Sequence, residues 1–358
     1  MTREIRPLVA NDISELSQFL RTGFHTLPDT DCFAPDVLRW KYLDQDEDGK
    51  VGENSLHEPC SWIARGESGV IIGHLGLCRT AFEGHALKTH GGRVPTIHII
   101  DWLGSSTHRA IGTSLMRKAH EITPTQFGLG VSPSALVVGE RIGYELRGFV
   151  PVHTRSLRLG YWLRTSGMKT VTRILRLTYD MVSRIIQSPV RPRATITLER
   201  IAQFGPEIDP IVEQAKAYAI LTSRSSARLN TILAFPRQSF SGWHLRDSTG
   251  RLRGLALLNI VPTDHRRTRT GKIVDCVLGD VDVDHWHAAL LALTAELARQ
   301  GADMVLAYAS TPWAAEATRR CGYRSTFAVK FHIRDRESLI PHGAIFHLTP
   351  LEGDYAYT

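Results

Sequence analysis

The sequence predicts a mixed α/β fold built from two units that share one plan. Three landmarks occur twice in the same order: an apolar run through a glycine, an apolar run with one aspartate, and a closing Gly-Tyr. The copies are GVIIGHLGL (69–77) and GRLRGLALL (250–258), IIDWLG (99–104) and IVDCVLG (273–279), and ERIGYE (140–145) and RRCGYR (319–324). Gly73 precedes Gly143 by 70 residues, and Gly254 precedes Gly322 by 68. A repeated order at nearly constant spacing indicates a duplicated unit.

Each unit has the same predicted order of elements. A helix comes first, as in NDISELSQFLRTGF (11–24), where Asn11 and Asp12 can cap a helix whose apolar residues recur at helical spacing. Two or three strands follow, then a long central strand, a helix, another strand, and a short helix that ends at Gly143 or Gly322. Strands that alternate with helices predict a mixed sheet.

The bulk composition favours an intracellular protein with two domains. The chain has 358 residues, of which 42% are hydrophobic and 22% are charged. Its five cysteines are scattered without a CxxC pair, which is typical of a reducing compartment. The charged N-terminus lacks the apolar core of a signal peptide. We therefore expect a cytoplasmic protein with domains over 1–160 and 195–358 and without a membrane span, while the sequence does not indicate the oligomeric state.

A basic segment, 161–194, is predicted to join the two domains. Seven basic residues and one acidic residue lie between Arg164 and Arg193, which accounts for most of the chain's net charge of +7. Apolar residues recur along it at helical spacing, so we expect an amphipathic linker helix with solvated arginines. A surface for RNA, DNA or anionic lipid is the alternative, although Tyr179 is the single aromatic residue between Arg164 and Arg193 and so gives little support to base stacking.

The turn after the first central strand has the composition of an anion site. Small residues lead from that strand into the helix SLMRKAHEI (114–122), and two basic side chains lie beside them. The first N–H groups of a helix have no internal partner, and its dipole favours negative charge there. A simple start of a helix is the alternative. The candidate residues are Thr107, His108, Arg109, Ala110, Ile111, Gly112 and Thr113.

The order of elements, this turn and the closing ERIGY together resemble the GNAT superfamily of acyl-CoA-dependent N-acyltransferases. The family's signature, Gln/Arg-x-x-Gly-x-Gly/Ala, binds the pyrophosphate of acetyl-CoA and falls here on residues 107–112. Gly112 matches it, whereas Ala110 replaces the first glycine and Thr107 replaces Gln/Arg. The resemblance covers nearly the whole chain as two tandem GNAT-like units joined by the basic helical linker, and it implies acetyl-CoA or another acyl-CoA as co-substrate.

The resemblance also implies where the acyl group is held and where the amine is activated. In the family, N–H groups at the end of the fourth strand polarise the thioester and hold pantetheine, which points to Trp102, Leu103 and Gly104. The fifth strand would be FGLGVS (127–132). The candidate general bases are His98 and Asp101, which point to opposite faces in a regular strand. Because Asp275 occupies the equivalent place in the second unit, a structural role shared by both units is the alternative for Asp101.

The family's general acid is a tyrosine at a position that is Gly139 here. Tyr144 is the candidate replacement; the alternatives are a water molecule or a domain without catalysis. Trp40 and Tyr42 lie in the region that walls the acceptor pocket in many members, so they are candidate substrate contacts. Core packing is the favoured interpretation of these two aromatic residues.

The second unit lacks the turn and carries aspartates in its place. Asp280, Asp282 and Asp284 would repel a phosphate, but they suit the first turn of a helix. A metal cluster with His285 and His287 is the less favoured interpretation, and we expect no metal. The second unit is therefore predicted to have lost cofactor binding.

The function predicted from these features is N-acylation of a small amine, such as an amino sugar or a specialised metabolite. One alternative is a transferase that uses aminoacyl-tRNA, which the basic linker would suit. The other is a non-catalytic GNAT-like binding or scaffold protein.

Overall fold

The computed structural model describes residues 4–26, 31–44, 59–108, 110–158, 189–237, 240–263 and 268–352. Arg109 and all but the last six residues of the predicted linker 161–194 lie outside the described residues. No helix within the described ranges is long and apolar enough to cross a membrane.

The first unit follows the predicted order of strands and helices. Two single 3-10 turns, Ala10–Asp12 and Asp31–Phe33, precede its first two helices. The elements are β1 (Glu4–Pro7), α1 (Ile13–Gly23), α2 (Pro35–Tyr42), β2 (Ser61–Arg65), β3 (Ile71–Glu83), β4 (Arg93–Gly104), α3 (Ile111–Ile122), β5 (Thr125–Leu129), α4 (Pro133–Arg141) and β6 (Glu145–Ser156).

The second unit repeats this order with one additional short strand, β8. A 3-10 turn, Pro206–Ile208, precedes its first helix, and another, Pro350–Glu352, follows its last strand. The elements are β7 (Ile196–Ile201), α5 (Asp209–Ala215), β8 (Leu221–Thr222), α6 (Ser226–Leu233), β9 (Ser241–Asp247), β10 (Leu252–Thr263), β11 (Thr268–Leu278), α7 (Val283–Arg299), β12 (Met304–Tyr308), α8 (Pro312–Arg320) and β13 (Arg324–Asp335).

The two units exchange their last strands and so form one sheet. Among the described strands the order is β1-β2-β3-β4-β5-β13-β6-β12-β11-β10-β9-β7, and β8 pairs with β3. The last strand of the second unit, β13, is therefore antiparallel to β5 of the first unit, and β6 is antiparallel to β12. The segments 1–160 and 195–358, predicted as domains, share this sheet.

The core continues across the units. On one face of the first unit, α3 packs Ile111, Leu115 and Met116 against the sheet. On the other face, α2 packs into a cluster that consists mainly of second-unit side chains, where the rings of Trp40 and Phe235 meet edge to face at 5.0 Å. The second unit thus supports the face of the first unit that carries α2.

The aspartates before α7 cap that helix, as predicted. Asp282 is its N-cap, and the side chain accepts a hydrogen bond from the N–H of Asp284 at 2.8 Å. Asp280 accepts hydrogen bonds from the N–H of Asp282 at 3.0 Å and from Nδ1 of His285 at 3.0 Å. These carboxylates accept hydrogen bonds from backbone N–H groups at the start of α7, which have no partner inside the helix. The first unit has small residues at the equivalent place.

Candidate active site

The sheet of the first unit splits between β4 and β5. The two parallel strands pair only at Ile97–Gln126 and His98–Phe127, while β4 continues to Gly104. The predicted fifth strand, 127–132, is shifted, because β5 spans Thr125–Leu129. From Ile99 onward, the β4 edge that faces β5 therefore has no partner strand, and its backbone groups are available to a ligand.

A cavity of about 470 Å³ occupies this split. Met116 and Tyr144 line it on the α3 side of the sheet, whereas Phe24 and Phe33 line it on the α1 side. The cavity therefore passes between the strands from one face of the sheet to the other. Its volume lies within the range of about 300–1,000 Å³ that is usual for small-molecule sites.

A bulge in β4 places both predicted bases on the same side of the sheet. Ile97, Ile99 and Trp102 pack with the α3 cluster, so the alternation of side chains gains one residue between Ile99 and Trp102. The pairing with β3 shifts register there, and Asp101 has a positive φ of 46°. The expectation that His98 and Asp101 face opposite sides is wrong, because it assumed a regular strand.

His98 presents an unsatisfied nitrogen at the cavity. Its ring stacks on Phe127, with centroids 4.6 Å apart and planes inclined by 10°. Within the described residues, its buried Nε2 has no hydrogen-bond partner. Burial lowers the pKa of His98 to about 3, so the ring is neutral at physiological pH.

Two further cavity-lining side chains carry buried polar atoms without partners in the described part of the chain. They are Oγ1 of Thr26, after α1, and Nδ1 of His332, on β13. Buried polar atoms without a protein partner usually bond to ordered water or to a ligand. A polar ligand or bound water in the cavity would supply the missing hydrogen bonds.

Asp101 also lines the cavity, but its carboxylate is engaged on the α2 side. It accepts hydrogen bonds from Nζ of Lys41 at 2.9 Å and from the hydroxyl of Tyr42. Burial would raise the pKa of Asp101, but the Lys41 charge and the Tyr42 hydroxyl outweigh it and hold this pKa below its usual range. His74 supports the same bulge, since its Nδ1 donates to the Asp101 carbonyl at 2.8 Å.

Tyr144, the third predicted catalytic residue, lines the cavity with its ring while its hydroxyl points into the core. The hydroxyl donates to Oε1 of Gln126 at 2.5 Å, and Nε2 of Gln126 donates to the carbonyls of Ala119 and Thr123 at 2.6 and 2.9 Å. Burial raises the pKa of Tyr144 far above its usual value. These contacts tie the end of α3 to β5.

Of the three residues predicted to hold pantetheine, Trp102 lines the cavity. Its Nε1 donates to the carbonyl of Gly112 at 3.1 Å, which joins β4 to the first turn of α3. Leu103 packs instead with the α1 cluster, and Gly104 lies against Ile111. Leu103 and Gly104 are therefore not part of the cavity wall.

The predicted pyrophosphate turn is held by its own side chains. The Oγ of Ser105 lies 2.8 Å from Oγ1 of Thr107 and 3.3 Å from Nδ1 of His108. Ala110 has a positive φ of 66°, which explains why the family signature has glycine there. Thr113 completes the first turn of α3, and Arg109 is outside the described residues.

Gly112 is needed for a reason that the sequence did not reveal. A Cβ at this position would lie 3.2 Å from Nε1 of Trp102, a tight contact, so the indole also favours a glycine here. The other two predicted contact residues are in the core: Trp40 packs on Phe235, and Tyr42 is beneath Asp101. Both aromatic side chains are packed in the core in the structure, and core packing was the favoured interpretation of them.

The equivalent split in the second unit, between β11 and β12, is nearly filled. A cavity of about 10 Å³ remains there, lined by Trp286, His347 and Pro350 among others. Asp275, the counterpart of Asp101, accepts a hydrogen bond from Nε of the fully buried Arg224 at 2.7 Å. The predicted loss of a ligand site in this unit stays a prediction, and the packing gives it a physical basis.

Sequence reasoning missed the α1 side of the cavity and the contribution of β13. Phe24, Thr26 and Phe33 flank a connection without a motif, so no sequence signal marks them. His332 reaches the first unit only because the last strands are exchanged. The sequence signal for this residue is weak: His332 is a polar residue in the largely apolar stretch FAVKFHI.

The fold is similar to those of solved N-acyltransferases. A GCN5-related N-acetyltransferase from Anabaena variabilis gives a TM-score of 0.59 at 12% identity, over 93% of this chain and 72% of that chain. A probable N-acyltransferase from Enterococcus faecalis gives 0.58 at 12% identity, over 96% and 75%. Saccharomyces cerevisiae N-myristoyltransferase with bound myristoyl-CoA gives 0.60 at 11% identity, over 93% and 82%.

No family model matches the chain, and no curated protein matches its sequence. The structural similarity nevertheless shows that the chain has the GNAT fold as two tandem units, as the sequence predicted.

Proposed function

We propose that the protein is an acyl-CoA-dependent N-acyltransferase whose reaction takes place in the split of the first unit. One observation carries this proposal: an open cavity coincides with the split in the sheet and is lined by three buried polar atoms that have no hydrogen-bond partner among the described residues. The fold supports it, because N-acyltransferases of known structure have the same architecture. The second unit stabilises the first and supplies His332 to the cavity.

The acyl donor would bind along β4 and the start of α3. The positive φ of Ala110 and the small Gly112 let a pyrophosphate approach the first N–H groups of α3. The unpaired β4 edge after His98 would hold the pantetheine arm through backbone hydrogen bonds. The N–H groups at the bulge, near Trp102, would polarise the thioester carbonyl.

The lining of the cavity favours an acyl group longer than acetyl. Acetyl-CoA is the donor suggested by the sequence, and the cavity of about 470 Å³ also has to hold the end of the pantetheine arm and the amine. The walls are mainly apolar, with Phe24, Phe33, Met116, Leu129 and Leu136 among them. Burial of methylene groups here is worth about 0.8 kcal/mol each, so each added carbon should raise affinity until the cavity is full.

In the proposed reaction, a neutral amine attacks the thioester carbonyl, the C–S bond breaks, and the amine proton ends on the departing sulfur. Nε2 of His98 would accept a hydrogen bond from the amine N–H and so orient its lone pair. A pKa of about 3 makes His98 a weak proton acceptor, so we assign it orientation rather than full deprotonation. Asp101 would hold the bulge in place through its bond to Lys41. Tyr144 would hold the end of α3 against β5.

The acceptor would be a small amine, such as an amino sugar or a specialised metabolite, that enters from the α1 side. Phe24 and Phe33 stack there with centroids 5.4 Å apart, and Oγ1 of Thr26 lies beside them in the cavity wall. This side places the acceptor next to His98, across the sheet from the α3 side.

Calorimetric titration with acetyl-, octanoyl- and tetradecanoyl-CoA tests donor binding. Ala135→Trp adds bulk to the cavity wall, and Val137→Trp adds the same bulk on α4 at a side chain that is 52% exposed. We expect wild type and Val137→Trp to bind with micromolar affinity, rising with chain length, and Ala135→Trp to lose binding. Absence of binding by the folded wild-type protein would contradict the proposal and favour a non-catalytic role.

An acceptor screen with the tightest donor then tests His98. His98→Ala should lower kcat/KM by about 10- to 100-fold, because one buried hydrogen bond to the nucleophile is lost. His153→Ala is the control, since His153 is also a buried histidine but lies on β6 outside the cavity wall. Equal kcat/KM values for the two variants would remove His98 from the mechanism.

A further inference from the structure

A second cavity of the first unit lies on the outer side of α3 and collects positive charge. It has a volume of about 520 Å³ and begins at Thr113, next to Gly112 at the start of α3. Arg117 and His120 follow along the same side of the helix. Arg141, Arg334 and Arg336 complete the wall from the end of α4 and the end of β13.

The carboxylates near this cavity are already engaged. Asp335 accepts hydrogen bonds from the N–H groups of Leu339 and Ile340 at 3.2 and 2.8 Å. Glu145 lies 3.5 Å from Arg147 and is 64% exposed. Both acids also line the cavity, so its wall carries four arginines against two carboxylates, an excess of two positive charges.

Arg334 is the most buried of these cations, with 5% of its surface exposed. Its guanidinium donates only to carbonyls in the described part of the chain, those of Ile142 at 3.2 Å and Pro124 at 3.5 Å. Burial and the neighbouring Arg336 lower the pKa of Arg334. A buried guanidinium without a counterion is costly, and an anion in the cavity would relieve that cost.

His120 supplies a second, independent sign of an absent ligand. Its buried Nε2 has no hydrogen-bond partner among the described residues. Burial, Arg334 and Arg336, in that order, lower the pKa of His120 to about 4. The ring therefore contributes no charge in the free protein, but it could donate a hydrogen bond to an anion that raised its pKa.

The second unit shows what an ordinary structural arginine looks like at the equivalent place. Arg320 is the last residue of α8, as Arg141 is the last residue of α4, and each lies two residues before the closing glycine. It pairs with Asp284 at 2.7 Å and with Glu316 at 2.8 Å. No such ion pair involves Arg141 within the described residues.

We propose that this cavity binds a phosphate monoester dianion, held by the forks of Arg117, Arg141, Arg334 and Arg336 and by Nε2 of His120. Several arginines match the three terminal oxygens of a phosphate monoester, each through charge-assisted hydrogen bonds. The phosphate could be the 3′-phosphate of a CoA bound along α3, a source that rests on the proposed function, or it could belong to a separate phosphorylated molecule.

The test measures the pKa of His120 by NMR with and without inorganic phosphate and adenosine 3′,5′-bisphosphate. We expect either probe to raise the pKa of His120 by at least about one unit, since a nearby dianion favours the charged ring. Arg117→Gln/Arg141→Gln should abolish this shift, because both side chains are exposed members of the wall. Arg319→Gln is the control, because Arg319 is 71% exposed on the equivalent helix of the second unit.

Titration with CoA and with 3′-dephospho-CoA identifies the source. If the phosphate is that of CoA, the double variant should bind CoA about tenfold more weakly and bind 3′-dephospho-CoA as wild type does. The source is a separate phosphate ester if the double variant changes the affinities for CoA and 3′-dephospho-CoA equally while inorganic phosphate still shifts the pKa of His120 in the wild-type protein. If no phosphate probe shifts His120, the proposal is overturned, whether or not acyl-CoA binds in the split.

Discussion

The split between β4 and β5 holds a cavity of about 470 Å³, whereas the equivalent split between β11 and β12 retains about 10 Å³. Both splits arise in the same way, because the two parallel strands pair over only two or three residues before they diverge. The divergence therefore belongs to the fold. What differs is the set of side chains that the chain places in the gap.

In the second unit, α7 and the segment before the last 3-10 turn fill the gap. Trp286 lies in it, and Nε2 of His347 donates to the carbonyl of Cys276 at 2.9 Å. In the first unit the described residues that line the corresponding cavity include Phe24 and Thr26, at the end of α1, and Phe33, in the turn before α2. In the second unit, side chains of α7 and of the segment that carries His347 thus turn the split into core.

Features that both units share are best explained by structure, and features of the first unit alone are the functional candidates. Each unit has an aspartate on its central strand that bonds to a buried cation, and a tyrosine after its last helix that bonds inside the core. His98 has no such equivalent. Lys272, three residues before Asp275, occupies its place, and burial lowers the pKa of Lys272 to about 7.

The largest expected effect concerns the two buried cations. Arg224→Met leaves the carboxylates of Asp275 and Glu352 without their common cation, and Lys41→Met leaves Asp101 with only the Tyr42 hydroxyl. We expect each variant to lose about 3–5 kcal/mol of unfolding free energy, with the larger loss for Arg224→Met. Urea denaturation at pH 7 measures both.

The double variant Lys41→Met/Asp101→Leu is the control for this comparison. Removing both charges should recover most of the loss, because the penalty comes from an unpaired buried carboxylate. A loss below about 1 kcal/mol for Lys41→Met alone would mean that water reaches Asp101, and the carboxylate would then be available for catalysis after all.

The next effect is a pH dependence from a buried histidine that the second unit lacks at the equivalent position. Burial lowers the pKa of His74 to about 4, while the second unit has Leu255 at the equivalent position. Below about pH 6.5, His74 takes up a proton in the unfolded chain, whereas in the folded protein it stays neutral until about pH 4. The stabilisation is complete above pH 6.5, and about 3 kcal/mol of it is lost by pH 4.

Urea denaturation between pH 7 and 4 checks this slope. His74→Asn keeps a donor for the Asp101 carbonyl but cannot take up the proton, so the slope should fall by about one proton, or 1.4 kcal/mol per pH unit. His85→Asn is the control, because the side chain of His85 is 59% exposed. An unchanged slope in His74→Asn would mean that His74 is solvated in the folded protein.

The sequence was sufficient for the fold and insufficient for the site, for reasons that particular residues show. Repeated landmarks such as Gly143 and Gly322 report on local turns, and local turns fix the order of elements. The strand exchange depends on pairing between β5 and β13, which are about 200 residues apart, and no local signal encodes it. Bulges are equally hidden, so the side on which Asp101 lies could not be derived from alternation.

A smaller effect tests whether the hydroxyl groups of Tyr144 and Tyr323 hold the core together or donate protons in a reaction. Tyr144→Phe removes the hydrogen bond to Gln126, and Tyr323→Phe removes the equivalent one to Thr294, which still donates to Leu290. We expect losses of about 1–2 kcal/mol in unfolding free energy, larger for Tyr144→Phe. Once an acceptor is known, kcat should be unchanged in both variants. A fall in kcat confined to Tyr144→Phe would restore the predicted role of Tyr144 as the general acid.

The smallest effect compares the starts of α3 and α7. Asp282 caps α7 from an extended conformation, whereas Ala110 begins α3 with a positive φ and cannot cap it. Ala110→Gly should therefore raise the unfolding free energy by about 0.5–1 kcal/mol, since glycine adopts this conformation without strain. Asp282→Ala should lower it by about 1 kcal/mol. If the first turn of α3 holds a pyrophosphate, Ala110→Gly should also bind acyl-CoA at least as tightly as wild type. Weaker binding would show that the methyl group of Ala110 contacts the donor, and the strain at this turn would then belong to recognition.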